Sequence, residues 1–267
     1  MLRNSRTHAA FEANMNRRLT IAIAIHALVA ALAFPAWADP ARARYDYRVT
    51  WNGIPAANAI VTVTDDVATA LSQLEADVRT NRVIDMLYNF RASLWGAVET
   101  KDWQPRGFAF HRHIGRRQES TRIEVGSDGA LTGHYLRAGR SEEVKRIDEA
   151  GVIDPIAALL RLRHALPTEA KVTHHELFTG ETRYRVEIEY VGEETIHLPA
   201  GEFAAIKVIP RVLRVGKKDD RIQEVTAWVT RDAPHTILRV RSDVFIGSVY
   251  ADLTGISRKG YEEKGAD

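Results

Sequence analysis

The chain contains no cysteine. That excludes disulfides, thiolate catalysis and thiolate metal ligation, so the fold must be held by its core alone. It also excludes a lipid attached to cysteine behind a signal-peptide cleavage point. After residue 38 no apolar run approaches the ~20 residues of a membrane-spanning helix. Catalytic signatures are missing as well. There is no Gly-x-Ser-x-Gly elbow, no phosphate-binding glycine loop followed by Lys and no dinucleotide fingerprint.

An excess of one charge is lacking too. The 267 residues hold 37 Lys and Arg against 35 Asp and Glu. Four of the Arg and one Glu fall in the first 38 residues, so the rest of the chain is almost balanced. A near-neutral domain offers no electrostatic footprint for nucleic acid.

What the sequence does have begins with an export signal. Met15-Asn16-Arg17-Arg18 is basic, residues 19–34 are apolar apart from Thr20 and His26, and Pro35 ends the run. Ala36-Trp37-Ala38 supplies the small-x-small pattern, which predicts cleavage between Ala38 and Asp39. Met15 lies where translation of such a signal would start. The predicted organisation is therefore an extension and cleavable signal over 1–38, one β-rich domain over 39–256 and a polar, flexible tail over 257–267. The predicted address is the periplasm of a Gram-negative envelope, reached by the general secretory route, with a free, unlipidated product.

Period-two alternation dominates the remainder. Tyr45, Tyr47, Val49 and Trp51 alternate with Asp46, Arg48 and Thr50, as in a strand with one buried face. Asn52-Gly53 then predicts a tight hairpin, because both residues tolerate positive φ. Similar alternation predicts strands at 59–64, 74–79, 94–101, 107–113, 121–125, 131–137, 142–147, 172–178, 182–190, 195–198, 203–215, 223–230, 236–242 and 245–253. Two segments break the rhythm. Residues 83–92 have helical spacing with Asn81 as cap. Residues 154–166 form the clearer helix, with Asp154 as cap and Pro155 at the first helical position. So many short strands with so few helices predict a mainly β fold: one antiparallel, strongly curved sheet forming a barrel or half-barrel with one or two short helices.

Candidate chemistry is thin. His111 and His113 share a strand face and could begin a metal site, but no third ligand is marked, and Arg112, Arg116 and Arg117 would repel a cation. His174 and His175 point to opposite faces. Ser127, Ser141 and Ser242 have no marked base, and the pairs Asp65-Asp66, Glu142-Glu143, Glu193-Glu194 and Asp219-Asp220 sit at turns or strand ends. No cofactor or metal is predicted. The aromatic and apolar residues Tyr47, Trp51, Leu87, Phe90, Trp95, Phe108, Phe110, Trp228 and Phe245 have two readings. They fill a barrel core, or they line an apolar cavity for a lipid-like ligand.

Four segments also carry a family resemblance. Residues 47–56 (YRVTWNGIPA), 154–163 (DPIAALLRLR), 198–208 (LPAGEFAAIKV) and 227–232 (AWVTRD, followed by Pro234) resemble, in order, the bacterial exported proteins grouped as domain of unknown function 3108. The resemblance implies a periplasmic antiparallel β structure and brings no catalytic residues. The functional expectation is a non-catalytic domain that binds or escorts a hydrophobic envelope ligand such as a lipid. A protein-interaction module in envelope assembly and a hydrolase with an unrecognised site are the alternatives.

Overall fold

The computed structural model describes residues 40–86, 89–166, 172–216, 223–244 and 247–260. The first half of the domain runs β1 (Ala41–Trp51), β2 (Ile54–Asp66), β3 (Leu71–Thr80), helix α1 (Arg82–Asp85), β4 (Phe90–Glu99), β5 (Pro105–Ile114), β6 (Arg117–Val125), β7 (Leu131–Arg137) and β8 (Glu143–Ile147). The second half runs β9 (Val152–Ile153), helix α2 (Pro155–His164), β10 (Val172–Phe178), β11 (Arg183–Leu198), β12 (Gly201–Arg214), β13 (Gln223–Thr230), β14 (Ile237–Val244) and β15 (Gly247–Lys259).

All fifteen described strands belong to one sheet, ordered β8-β7-β6-β5-β4-β3-β2-β1-β15-β14-β13-β12-β11-β10-β9. Every pairing is antiparallel except that of β9 with β10. The halves are two meanders, joined where β1 pairs with β15. The sheet curls into a nearly closed barrel, as the alternation predicts. Asn52 and Gly53 take φ of 48° and 80°, the twist a two-residue hairpin needs between β1 and β2.

The interior is built around α2. The Asp154 carboxylate accepts hydrogen bonds from the amides of Ile156 and Ala157 at 2.8 and 2.9 Å, satisfying two free N–H groups of the first turn. Arg161, Arg163 and His164 lie in the last turn, where cations suit the helix dipole. Ile156 sits in a slot made by Gly96 of β4, where an added Cβ would lie 2.6 Å from the Ile156 Cβ. Ala157 and Leu160 are fully buried in the same cluster as Tyr45, Val63, Leu74, Phe108 and Leu253. Leu162 packs instead on a second cluster of Val186, Ile188, Ile206, Val208 and Val229. The helix thus ties the two meanders together.

The helix end is pinned by a buried cation. Arg163 donates from Nη2 to the Tyr45 hydroxyl at 2.9 Å and lies over the same ring at 5.9 Å. Its Nη1 is 3.7 Å from the Asp65 carboxylate. A second insertion comes from the turn after β10. Gly180, at φ 89°, rests on Thr121 and against the backbone of Gly133.

Three expectations need correction. The helix over 83–92 is only the single turn of α1, capped by the Asn81 side chain, and β4 already starts at Phe90. The sheet's hydrogen bonds claim Phe90 and Arg91, which pair with Ile114 and His113. The strands at 182–190 and 195–198 are one strand, β11, carried through a bulge at Gly192. Finally, β15 runs on to Lys259, with Ser257–Lys259 pairing Arg44, Ala43 and Arg42. The polar residues 257–259, read as tail, are therefore strand; 261–267 lie outside the described residues.

Candidate ligand groove

The aromatic set does not stay together. Tyr47 and Phe108 are buried in the main cluster, and Phe110 packs against it half-buried. Tyr47 donates from its hydroxyl to the carbonyl of Ile237 at 2.8 Å, and burial pushes that phenol well above its ordinary pKa. Phe90 is half-buried at the start of β4. Trp51 and Trp95 are 38% and 37% exposed. Trp95 lies on the outer sheet face over Gly107, whose hypothetical Cβ would meet the ring at 3.2 Å. Trp228 is buried as a further member of the main cluster, stands beside Lys207 and Arg239 by register, and donates from Nε1 to Glu194. Leu87, Phe245, Ala38 and Asp39 lie outside the described residues. The barrel interior that Tyr47, Phe108 and Phe110 face is occupied by α2.

A groove of about 630 Å³ lies instead on the sheet face turned away from α2, across β3 to β7. Two register rows form its floor. Asp77, Ser93, His111, Ser120 and Leu136 stand side by side in one; Arg79, Arg91, His113 and Gln118 do so in the next. Backbone alternation alone positions them, since each is two residues from its neighbour on the same strand. Leu136 and Ala138 supply an apolar part of the lining, while Val78 and Ala92 border it from the intervening, inward-facing row.

The charges around this groove are unequally committed. Arg91 forks onto Asp85 with contacts of 2.9 and 2.6 Å. That pairing, helped by Thr80, holds the Asp85 carboxyl well below the ordinary carboxylate range. Arg112 pairs with Glu119, which also meets Arg137 Nε at 3.0 Å. The Arg112 bond outweighs partial burial, so Glu119 too stays below its usual range. Arg79 is exposed and, among the described residues, makes no ion pair. His111 and His113, the pair singled out for metal binding, line the groove side by side with Arg79 and Arg91 near them. Among the described residues no cluster of three metal-ligating side chains is present. The signal for this groove was available in sequence only as alternation, because polar residues spread over five strands look like any solvated face until the sheet curls.

These features define a class: a β-barrel-like domain wrapped round a short helix, with a polar groove on its outer wall. Residues 46–254 match the family described as protein of unknown function (DUF3108), and the chain belongs to that family. No curated protein matches it. Among solved structures it is similar to a β-barrel-like protein of domain of unknown function DUF1849 from Brucella abortus, with a TM-score of 0.54 at 10% identity over 82% of this chain and 98% of that one. Weaker likenesses are a candidate lipoprotein from Parabacteroides distasonis (TM-score 0.38, 9% identity, 80% of this chain and 94% of that one) and a candidate exported protein with a YmcC-like fold from Bacteroides fragilis (0.33, 12%, 84% and 98%). No helix among the described residues is long and apolar enough to cross a membrane.

Proposed function

We propose that this chain is an exported, non-catalytic binding domain of the cell envelope. It carries an amphiphile, a lipid-like molecule with an acidic headgroup, along the outer groove. The observation that carries this reading is Arg79. It faces the groove with no ion pair among the described residues, in a row with His113 and Gln118 and next to the apolar side chains of Leu136 and Ala138. A headgroup anion would gain a charge-assisted hydrogen bond there, while an acyl segment covers the apolar lining. The carboxylates Asp85 and Glu119 are held in structural pairs with arginine, which supports binding over acid–base chemistry. The basic, apolar and small-residue segments before Asp39 support the envelope address.

Isothermal titration with short-chain phosphatidylglycerol tests this. Saturable binding is expected, weakened about tenfold by Arg79→Ala and weakened by added salt. Equal binding by Arg79→Ala, equal binding of phosphatidylcholine, or no heat from either lipid would overturn it.

A further inference from the structure

Among the described strands β8 ends one side of the sheet, with one edge unpaired. Glu143, Val144, Lys145 and Arg146 are all exposed there, Val144 to 60%. An open edge is a template for another strand. The sequence along it, Glu142-Glu143-Val144-Lys145-Arg146, changes from acidic to basic about one apolar residue.

That order is self-complementary. Two copies of β8 related by a twofold axis normal to the sheet run antiparallel, and opposed residues must share a face. With Val144 on the axis, each Glu143 faces Lys145 of the second copy and each Glu142 faces its Arg146. The next allowed registers in either direction place Glu143 on Glu143 or Lys145 on Lys145. Like charges directly opposite are unfavourable, so one register is selected. Glu143 and Lys145 have no ion pair within the chain among the described residues. Arg146 is already held by Asp128 and Asp148, each at 2.6 Å, so the inner pairs and Val144 carry the recognition.

We propose that β8 docks on β8 of a second copy of this chain, antiparallel, with Val144 at the centre, making one sheet continuous through both domains. A strand of five residues gives a small interface, so the dimer is concentration-dependent and weakens with salt.

The absence of cysteine makes the test clean, because Val144→Cys can form a disulfide only across the axis. The full chain carrying Val144→Cys is oxidised and compared with Val67→Cys, whose position is 89% exposed in the turn between β2 and β3. Faster covalent dimer formation at 144 is expected. Adding Glu143→Lys or Lys145→Glu should slow it about tenfold, and adding both should restore it, since the pairs are then reversed together. Cross-linking at 144 no faster than at 67 overturns the proposal, as does a double charge swap that recovers nothing while remaining folded by circular dichroism.

Discussion

Gly133 on β7 and Gly180 in the turn between β10 and β11 touch backbone to backbone, leaving no space for a methyl group. The contact joins the first meander to the second on the inner side of the seam that hydrogen bonds leave open.

Gly133→Ala should therefore destabilise the domain by about 1–3 kcal/mol through overpacking against backbone that cannot rotate away. Gly129→Ala is the control. Gly129, unlike Gly133, has positive φ, 81°, but nothing lies within 4 Å of its Cβ position, so only the conformational cost of about 1 kcal/mol applies. Urea midpoints of the two variants check the difference.

The slot between Gly96 and Ile156 predicts a coupled pair. Ile156→Ala should cost about 2–5 kcal/mol as a buried cavity. Gly96→Ala should cost about 1–3 kcal/mol by clash. In the double variant the Cγ1 and Cγ2 atoms that the added methyl would meet are gone while the Cβ of residue 156 stays, so part of the clash is relieved and the combined loss should fall about 1 kcal/mol short of the sum. A double-mutant cycle by denaturant unfolding measures it, and strict additivity would contradict the slot.

Asp154 caps α2 while 1% exposed, and among the described residues its Oδ2 has no hydrogen-bond partner. Burial raises its pKa to about 6, against the lowering effect of the amides of Ala157 and Ile156. With the folded value above the unfolded one, the stabilisation from this group is complete below the unfolded pKa near 4 and is lost as pH rises through about 6. Asp154→Asn keeps the cap and removes the titration. The stability of that variant relative to the parent should rise by on the order of 2–3 kcal/mol between pH 4 and pH 7 and then level off. Unfolding curves at several pH values follow the difference directly. A difference independent of pH would refute the assignment.

Arg163→Met retains the aliphatic body but strips the cation from Tyr45 and Asp65. The variant loses the hydrogen bond to Tyr45 and the attraction to Asp65, which is partly exposed and keeps the bond from the Ser72 hydroxyl, so a loss of about 2 kcal/mol is expected. Tyr45→Phe should cost about 1 kcal/mol, the worth of one hydrogen bond. Thermal melts of both variants at one pH rank them.

Much of this fold is legible residue by residue. The alternation around Tyr45 and Tyr47, the Asn52-Gly53 turn and the Asp154-Pro155 start of α2 each carry their structure locally. The groove and the interior are another matter. Alternation says that Leu94 and Gly96 share one face and Trp95 takes the other, but not which face is inner. Hydrophobicity alone would send the tryptophan inside. The helix needs a slot there, so Gly96 faces in and Trp95 covers Gly107 outside. Likewise, residues 83–92 have helical spacing, yet pairing with β3 and β5 outweighs the local preference beyond one turn. The bulge at Gly192 could not be read because it depends on the partner strand.

The junction of β1 with β15 has a kinetic meaning. The first meander contains only consecutive antiparallel pairings and the second adds one short crossover between β9 and β10, so either can zip up from contacts close along the chain. Arg42 and Lys259, nearly the first and last described residues, are partners across the one long-range pairing among the described strands. A chain that emerges from its amino end must therefore hold β1 half-paired until the final strand arrives. That closure spans the longest loop in the sheet, and a circular permutant linking the two ends should fold faster by shortening it.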